Sequence, residues 1–590
     1  MTANEIATKR RIKDRGNVLL MVLVMIGVSL TLVAAIFGYG STNVKQNQRT
    51  TEYYAAVAAA EAATEKLVAQ ITSDYRNYGD GYLALHLNDY MTNIPNASES
   101  PQWTNYDFLN TAGTVGRVEV QHYDVPGFAP INGQYGPLKA FIDRYRVIAN
   151  ARLKSSSDAV VGSVYQDIEL DRIPIFQYAV FFNTTLEFTP MPAMDVNGPV
   201  HCNTNIYFNP YGTLTLWADV TSAGSIIMDK NPVGPLPSLG GTTVFKAKHD
   251  QGVSTLNLPI GTNSSPAAVR QVLELPALGE NAGSSIGQQR YYNKADILIM
   301  VSNTTMVVKC GPASGATNVF GTNEYSSWLS TNKYFYNTRE AKTVRTISMD
   351  VSKFVLWNAS NSVLRPRLAA RPNGIADARI IYVYDGRTFS ALNESGIRLF
   401  NGDLLPPKGL TVATPMPLYI QGHYNCPAAN RGTTNTVGTM PASVCADAVT
   451  VLSTAWLDTN AANSSTTLAG RVANNTTVNT AILTGIVPTT SASDSGGVEN
   501  FPRFLEEWTS KTLTYNGSMI CMFYSVYATG LWQGIGDPPG IYNPPTRLWG
   551  LDLNFSDENK LPPGTPALTV LVRSRWRTPA AFTTNVIAGY

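Results

Sequence analysis

The hydrophobic and polar positions of the chain change character several times, and the first change is the sharpest. From Val18 to Phe37 twenty successive residues are mostly apolar, and no Asp, Glu, Lys, Arg or His occurs between Asn17 and Val44. At ~1.5 Å per residue, a helix of this length matches the ~30 Å hydrocarbon core of a bilayer. The pattern therefore predicts a membrane-compatible helix near the N-terminus.

The helix is predicted to continue beyond the apolar run. The first proline of the chain is Pro95, and the segment after the apolar run is rich in good helix formers. Apolar and small residues then recur at steps of three and four, which places them on one helix face: Tyr53, Val57, Ala60, Thr64, Leu67, Val68 and Ile71. We expect one helix over 17–78, transmembrane over 17–39 and amphipathic over 40–78, ended by Gly79 and the Asp80-Gly81 turn.

Strand-like alternation begins after this helix. Residues 116–123, 145–152 and 160–170 each alternate apolar and polar side chains with a period of two, as half-buried strands do. A small antiparallel sheet of such strands, packed against the amphipathic helix, would form an α+β head over 79–172.

From residue 173 to 590 the pattern consists of short apolar or alternating runs separated by Asn, Gly and Pro turns. Short strands at close spacing with small corner residues favour a β-solenoid, and an irregular β-sandwich is the alternative. No exact repeat period emerges, so insertions are expected near 230–290 and 426–475. The predicted fold class is mainly β with one long N-terminal α-helix.

Composition and charge exclude several classes of protein. The chain has 44 Lys+Arg against 42 Asp+Glu, and charged residues make up 15% of it. It is therefore neither a charged disordered chain nor a basic nucleic-acid binder. Residues 1–16 alone carry five basic against two acidic side chains, which by the positive-inside rule keeps the N-terminus cytoplasmic and sends the rest across the membrane.

A signal peptide and a buried core helix both fit the apolar run less well than a membrane helix does. The run is longer than the ~7–15 apolar residues of a secretory signal peptide and lacks a following A-x-A site. A buried core helix would not sit behind a basic block without any polar face. An uncut single-span membrane anchor remains the alternative.

The N-terminal eighth of the chain resembles a known family. The start Arg15-Gly16-Asn17-Val18-Leu19-Leu20-Met21 and the later Ala58-Ala59-Ala60-Glu61-Ala62-Ala63 resemble the N-terminal domain of PilX-type minor pilins, within the type IV pilins and pseudopilins. The resemblance implies that residues 1–16 are a basic leader, that a prepilin peptidase cuts between Gly16 and Asn17, and that a pilin-like head follows the helix.

The resemblance also implies partners and roles. The filament or membrane core would be supplied by Val18, Leu19, Leu20, Met21, Leu23 and Val24, and helix–head packing by Tyr53, Val57, Ala60, Leu67, Val68 and Ile71. Pilins usually have Phe at the first mature position, here Asn17, and major pilins have Glu at the fifth, here Met21. Met21 cannot pair with a neighbour's terminal ammonium, which favours a minor subunit. Expected partners are the membrane, the peptidase and other pilins.

Catalytic and metal motifs are weak. Asp494-Ser495-Gly496-Gly497 resembles the segment around a protease nucleophile but lacks a matching histidine motif, so we interpret it as a turn. His201 and Cys202 are neighbours on a predicted strand and point to opposite faces. The acidic segment 552–558 could supply oxygen ligands for Ca²⁺, although its spacing fits no defined loop. We expect no enzyme activity and no cofactor.

Two questions stay open from the sequence. Cys426 and Cys445 could form a disulfide in an oxidising compartment or remain two separate thiols. The favoured function is a minor pilin-like assembly protein with a large β ectodomain, anchored in the inner membrane or assembled into a surface pilus. The alternative is a membrane-anchored β-helix enzyme or binding protein acting on polysaccharide, and the 10% aromatic content leaves surface glycans as candidate ligands.

Overall fold

The computed structural model of the chain describes residues 14–123, 127–131, 135, 137–156, 159–314, 318–532 and 540–582. Residues 1–13 of the predicted leader lie outside this part, and so do the side chains of Asp14, Arg15 and Asn17 and the surroundings of Gly16, so the predicted processing site lies outside the described residues. The described chain forms one long N-terminal helix and a large β-rich body, which confirms the coarse fold class predicted from the sequence.

The N-terminal helix α1 runs without interruption over Asp14–Tyr78, 65 residues and ~98 Å. It ends at Gly79, whose φ of 78° lies in the left-handed region and whose N–H donates to the carbonyl of Tyr75 at 3.0 Å. Glycine adopts this conformation without steric penalty, which explains why the helix stops here. Two short helices follow, α2 (Asp80–Leu85) and α3 (Leu87–Thr92).

The head contains an antiparallel sheet centred on one long strand. Its strands are β1 (Tyr106–Leu109), β2 (Glu119–His122), β3 (Gly127–Pro130), β4 (Lys139–Leu153) and β5 (Val161–Pro174). β4 pairs with each of the other four, and its register with β5 runs from Phe141↔Arg172 to Arg152↔Val161. One face of β4 and β5 packs on the second half of α1, as the alternation in both strands requires.

Three stacks of short parallel strands begin the body. The strands are β6 (Val180–Phe182), β7 (Leu186–Phe188), β8 (Met194–Val196), β9 (Val200–Cys202), β10 (Ile206–Phe208), β11 (Thr213–Leu216), β12 (Val220–Ser222), β13 (Ile226–Ile227), β14 (Thr242–Phe245) and β15 (His249–Gln251). In the first stack Val180, Val200 and Val220 are successive Cα partners, twenty residues apart. The second stack places Leu186, Ile206 and Ile226 together in the same way.

The rest of the body adds longer strands and short helices. They are α4 (Pro266–Arg270), α5 (Ser285–Gln289), α6 (Tyr291–Lys294), β16 (Ile297–Val301), β17 (Met306–Cys310), β18 (Val319–Phe320), α7 (Thr322–Tyr325), β19 (Leu329–Asn337), β20 (Lys342–Asp350), α8 (Val351–Ser360), α9 (Leu364–Ala369), β21 (Ile380–Asp385), β22 (Asn393–Gly402), β23 (Leu410–Ala413), β24 (Leu418–Tyr424), β25 (Ala442–Cys445), β26 (Val449–Leu452), β27 (Thr476–Asn479), β28 (Ala481–Ile486), β29 (Thr512–Asn516), β30 (Met519–Tyr524) and β31 (Thr546–Gly550).

Two mostly parallel sheets organise these strands in the described part of the chain. The larger sheet has the order β15-β12-β9-β6-β30-β28-β25-β23-β21-β16-β17-β18. The second has the order β19-β20-β22-β24-β27-β29-β31, with β26 also paired to β24. The regions 230–290 and 426–475, predicted to contain insertions, hold both paired strands and longer connections.

The chain then returns to the head. Strand β32 (Ala567–Arg577) pairs antiparallel with β5, from Ala567↔Pro174 to Arg577↔Tyr165, and becomes an edge of the head sheet. The sequence pattern did not predict this return. It closes the head around residues that are about 400 positions apart in the chain.

Three of the four apolar cores formed by the described residues hold the layers together. One lies between α1 and the head sheet, a second joins the head to the outer face of the larger sheet, and a third fills the space between the two sheets of the body. At ~25 cal/mol per Å² of buried apolar surface, these cores are the main stabilising term. Head and body share the second core, so α1 is coupled to the body through packed side chains.

Candidate functional site: the exposed half of α1 and its junction with the head

The first half of α1 is an apolar surface without a partner among the described residues. The six side chains predicted to form the membrane or filament core, Val18, Leu19, Leu20, Met21, Leu23 and Val24, are each between 59% and 67% exposed. Mean hydropathy over the best 18-residue window is 2.8, and none of that window is buried. Within the described part of the chain, α1 is the helix long and apolar enough to cross a bilayer.

The two threonine hydroxyls inside this surface are satisfied locally. The Thr31 hydroxyl lies 2.8 Å from the Val28 carbonyl and 3.1 Å from that of Gly27, and the Thr42 hydroxyl donates to the Gly38 carbonyl at 2.9 Å. All backbone groups between these positions are in helix. Such a segment can enter lipid or an apolar helix bundle without leaving these hydroxyls unpaired.

The second half of α1 packs on β4 and β5 through small and aliphatic side chains. Of the six residues predicted for this role, Ala60, Leu67, Val68 and Ile71 are buried, Val57 is half-buried, and Tyr53 lies at the edge with 37% of its surface exposed. The structure adds Ala56, Ala59, Ala63 and Tyr75 to the buried face. Alanines at successive turns let the helix backbone approach the sheet closely, and Gly162 on β5 faces Ala56 and Val57 at the closest point.

Hydrogen bonds fix the register of the helix on the sheet. The Gln166 amide donates to the Thr64 hydroxyl at 2.9 Å and to the Glu65 carboxylate at 2.7 Å. Farther along, the Tyr75 hydroxyl donates to the Asp171 carbonyl at 3.3 Å. Thr64 belongs to the predicted helix face, but sequence reasoning gave no signal for its partner, because Gln166 is about 100 residues away.

Charged groups tie the C-terminal strand to the same junction. Arg573 on β32 forms two hydrogen bonds from Nη1 to the Glu65 carboxylate, at 2.7 and 2.8 Å. Both side chains are about half exposed, so water screens this ion pair. The bond nevertheless links residues 508 positions apart and places β32 beside α1.

Buried charges occupy the opposite face of the head sheet. Arg146 and Asp167 form a bidentate pair at 2.5 and 2.7 Å and are almost completely buried. Along the same strand, neither carboxyl oxygen of Asp171 has a hydrogen-bond partner in the described part of the chain. Burial and the neighbouring Glu169 carboxylate raise the pKa of Asp171 to about 7. A carboxyl group in that position stays protonated well above its ordinary pKa.

The residues weighed for catalysis are not arranged for it. His201 contacts the Thr221 hydroxyl and the Asn203 side chain at 2.8 and 3.0 Å, and burial lowers its pKa to about 4. The Cys202 thiol instead donates to the Thr184 carbonyl at 3.2 Å, and burial raises its pKa. The two side chains therefore do not form a thiol–imidazole pair.

The remaining motifs have structural partners. The Ser495 hydroxyl accepts a hydrogen bond from the Gly497 amide at 2.9 Å, within a turn where Gly496 and Gly497 both have positive φ. Asp552 accepts a hydrogen bond from the amide of Asn554 at 3.0 Å at the start of a short 3-10 helix. Among the described residues there is no group of three or more His, Cys, Asp or Glu side chains that could hold a metal ion.

Cys426 and Cys445 are both buried, each as a free thiol in this structure. The Cys426 thiol lies 3.6 Å from the Pro427 carbonyl, whereas Cys445 sits in the core between the head and the larger sheet. Burial raises the pKa of Cys445 to about 12.

The chain shows little similarity to known proteins. No family model matches the chain, and no curated protein matches it. Among solved structures, the crystal structure of the competence-associated pilin ComZ from Thermus thermophilus aligns with 88% of this chain and 97% of its own, at 9% sequence identity and a TM-score of 0.28. A TM-score this low does not establish a common fold.

Proposed function

We propose that the chain is a minor pilin-like structural protein of a type IV pilus or related pseudopilus. One observation carries the proposal: a single unbroken helix exposes an apolar half of bilayer length and buries its other half against a folded head. A helix built in this way can pass from a membrane into a bundle of similar helices without refolding, because lipid and apolar helices both match its surface.

Processing of the N-terminus belongs to the same proposal. A PilX-type start implies that a prepilin peptidase cleaves after Gly16 and that Asn17 becomes the first mature residue. Glycine at this position lets the enzyme approach the scissile bond closely. Met21, apolar where major pilins carry Glu, suits a subunit that occurs rarely in the filament, since a neighbour's charged terminus would find no carboxylate there.

The body would be displayed outside the membrane for adhesion or assembly control. We infer that it is a β-solenoid, because its short parallel strands stack with partners twenty residues apart and continue in register into longer strands. Surface glycans are the candidate ligands. The proposed action is packing and display, with no catalytic step and no cofactor.

N-terminal sequencing and intact mass of the protein from the native envelope test this proposal. We expect a chain that begins at Asn17, present both in the inner membrane and in sheared surface filaments. A Gly16→Leu variant should keep its leader and be absent from filaments, because the larger side chain blocks the peptidase.

A matched control is Gly27→Leu, in the same helix, where a β-carbon would meet no atom within 4 Å. This variant should be cleaved normally. Native protein that still begins at Met1, or normal cleavage of the Gly16→Leu chain, would reject the pilin proposal in favour of an uncut membrane anchor.

A further inference from the structure

A groove runs along the free edge of β32, where the head, the body and α1 meet. It is a cavity of about 400 Å³ lined by Thr72, Tyr75, Arg76, Tyr135, Ser254, Thr255 and the strand segment Thr569–Arg573. The lining contains two guanidinium groups and several hydroxyl groups, and it contains no carboxylate among the described residues. We propose that this groove binds an extended, acidic segment of another polypeptide as an added strand of the head sheet.

The backbone of β32 is the first support. One edge of β32 pairs with β5, and on the other edge the described residues provide only an isolated bridge between Thr569 and Asn257. In that bridge the Thr569 N–H donates to the Asn257 carbonyl at 3.0 Å, away from β5. Because backbone groups alternate along a strand, those of Leu571 and Arg573 also point away from β5 and into the groove.

An added strand would meet these backbone groups directly. Strand addition at an exposed sheet edge uses main-chain hydrogen bonds for affinity and side chains for selectivity. The bridge at Asn257 closes one end of the free edge and the bulge between Arg573 and Arg575 ends its regular alternation, so an incoming segment would pair beside Leu571 and Arg573. The groove of about 400 Å³ lies beside these groups, between α1 and residues 254–255.

The basic residues at the groove indicate that the bound segment is acidic. β32 carries Arg573, Arg575 and Arg577 and no acidic residue, and Arg76 lies across the groove on the exposed side of α1. Glu65 neutralises Arg573 in part, through the two hydrogen bonds described above. Of these basic residues, Arg76 and Arg573 line the groove. Arg76, together with the part of the Arg573 charge that Glu65 does not neutralise, favours carboxylate side chains on the incoming strand, and Arg binds carboxylates in a bidentate geometry.

This inference does not depend on the proposed pilus role, because any extracytoplasmic protein with an exposed acidic segment could supply the strand. It predicts that the bound segment contacts α1, the head and the segment after β15 at the same time. Binding would therefore stiffen the junction between the helix and the ectodomain.

Fluorescence anisotropy with the full chain in detergent tests the inference. The probe is a fluorescein-labelled heptapeptide of alternating Val and Glu, compared with the same peptide carrying Lys in place of Glu. We expect saturable binding of the acidic peptide, weakened by added salt, and no binding of the basic one. Arg76→Glu should weaken binding by at least about tenfold, because it places like charges together.

Two further variants separate backbone from charge effects. Leu571→Pro removes one N–H that faces the groove and leaves the hydrogen bonds to β5 in place, so it should also weaken binding by about tenfold. Arg76→Lys should retain most of the binding, and Arg367→Glu, an exposed charge reversal on α9, should not change it. If Leu571→Pro lowers the melting temperature, its binding result is set aside, and the comparison of Arg76→Glu with Arg76→Lys alone tests the inference.

Failure of the acidic peptide to bind at millimolar concentration would overturn the inference. Equal binding of the acidic and basic peptides would do the same, as would binding that neither Arg76→Glu nor Leu571→Pro affects. The N-terminal processing experiment is unaffected by any of these outcomes, so the two proposals fail separately.

Discussion

A β-carbon placed on Gly162 would lie 2.3 Å from the backbone nitrogen of Val57. Gly162 is in β5, where the sheet packs against the backbone of α1, and the carbonyl carbon of Ala56 would be 2.6 Å from the same β-carbon. Both neighbours are backbone atoms, so neither can rotate away. The close approach of helix and sheet therefore requires glycine at this position.

Gly162→Ala should loosen the junction between α1 and the head. Forcing a methyl group into a packed contact costs typically ~1–3 kcal/mol, and here it must displace backbone. We expect a lower melting temperature and faster proteolysis of α1 beyond residue 50. Gly240→Ala is the control, since a β-carbon there meets no atom within 4 Å, and equal melting temperatures for the two variants would contradict the structure.

The two halves of α1 should respond to substitution in opposite ways. Val28 lies near the middle of the apolar run and is 53% exposed, so Val28→Arg should oppose membrane insertion by ~2.5–3.5 kcal/mol without changing the melting temperature of the head. Leu67 is fully buried, and Leu67→Ala should destabilise the head by ~2–5 kcal/mol without changing membrane association. Carbonate extraction and thermal unfolding measure the two effects. A variant that changes both membrane association and the melting temperature of the head would show that the two halves of α1 do not have separate roles.

Removal of one partner from the buried Arg146–Asp167 pair should be costly. Asp167→Asn removes the carboxylate that pairs with the buried Arg146 guanidinium, and breaking a buried ion pair in this way costs ~3–5 kcal/mol. Glu65→Gln, in the exposed pair with Arg573, should cost no more than ~1 kcal/mol. Urea unfolding at constant m-value measures both. Similar losses for the two variants would show that burial does not govern these pairs.

Asp171 should make the stability of the head fall as the pH rises. Its pKa is about 7 in the folded protein and ~3.9 in an unfolded chain, so between these values the folded state holds a proton that the unfolded state has released. The free energy of unfolding contributed by this group is therefore highest below pH ~4, decreases up to pH ~7 and is constant above it.

Asp171→Asn removes that titration. Relative to the natural protein, the variant should gain stability between pH ~4 and ~7, because the amide never has to ionise in a buried site. Thermal unfolding at a series of pH values gives the comparison. A difference between the two proteins that does not vary with pH would mean that folding does not raise the pKa of Asp171.

Some features of this protein can be predicted from short segments of its sequence. The apolar run after Asn17, the three- and four-residue spacing from Tyr53 to Ile71 and the terminating Gly79 are local patterns, and the long helix follows them closely. The alternation in 145–152 and 160–170 likewise predicts strands that the structure contains in β4 and β5.

The body contains a short sequence repeat that the sequence analysis did not detect. Residues 180–188, VFFNTTLEF, and 200–208, VHCNTNIYF, share Val, Asn-Thr, an aliphatic residue and Phe at the same positions. In the structure these residues are partners in adjacent strands, and the Asn203 amide donates to the Asn183 side chain at 2.8 Å. The repeat covers few turns before longer connections interrupt it, which hides its twenty-residue period.

The sequence by itself determined that the chain has a long, half-apolar N-terminal helix followed by many short strands, because hydropathy period and helix propensity act between near neighbours. Only the tertiary structure decided that β32 returns to the head, that Gly162 meets Val57 and that Gln166 holds Thr64. These contacts join residues that are distant in the chain. They are selected by shape, charge and burial in three dimensions, which leave no periodic trace in the sequence.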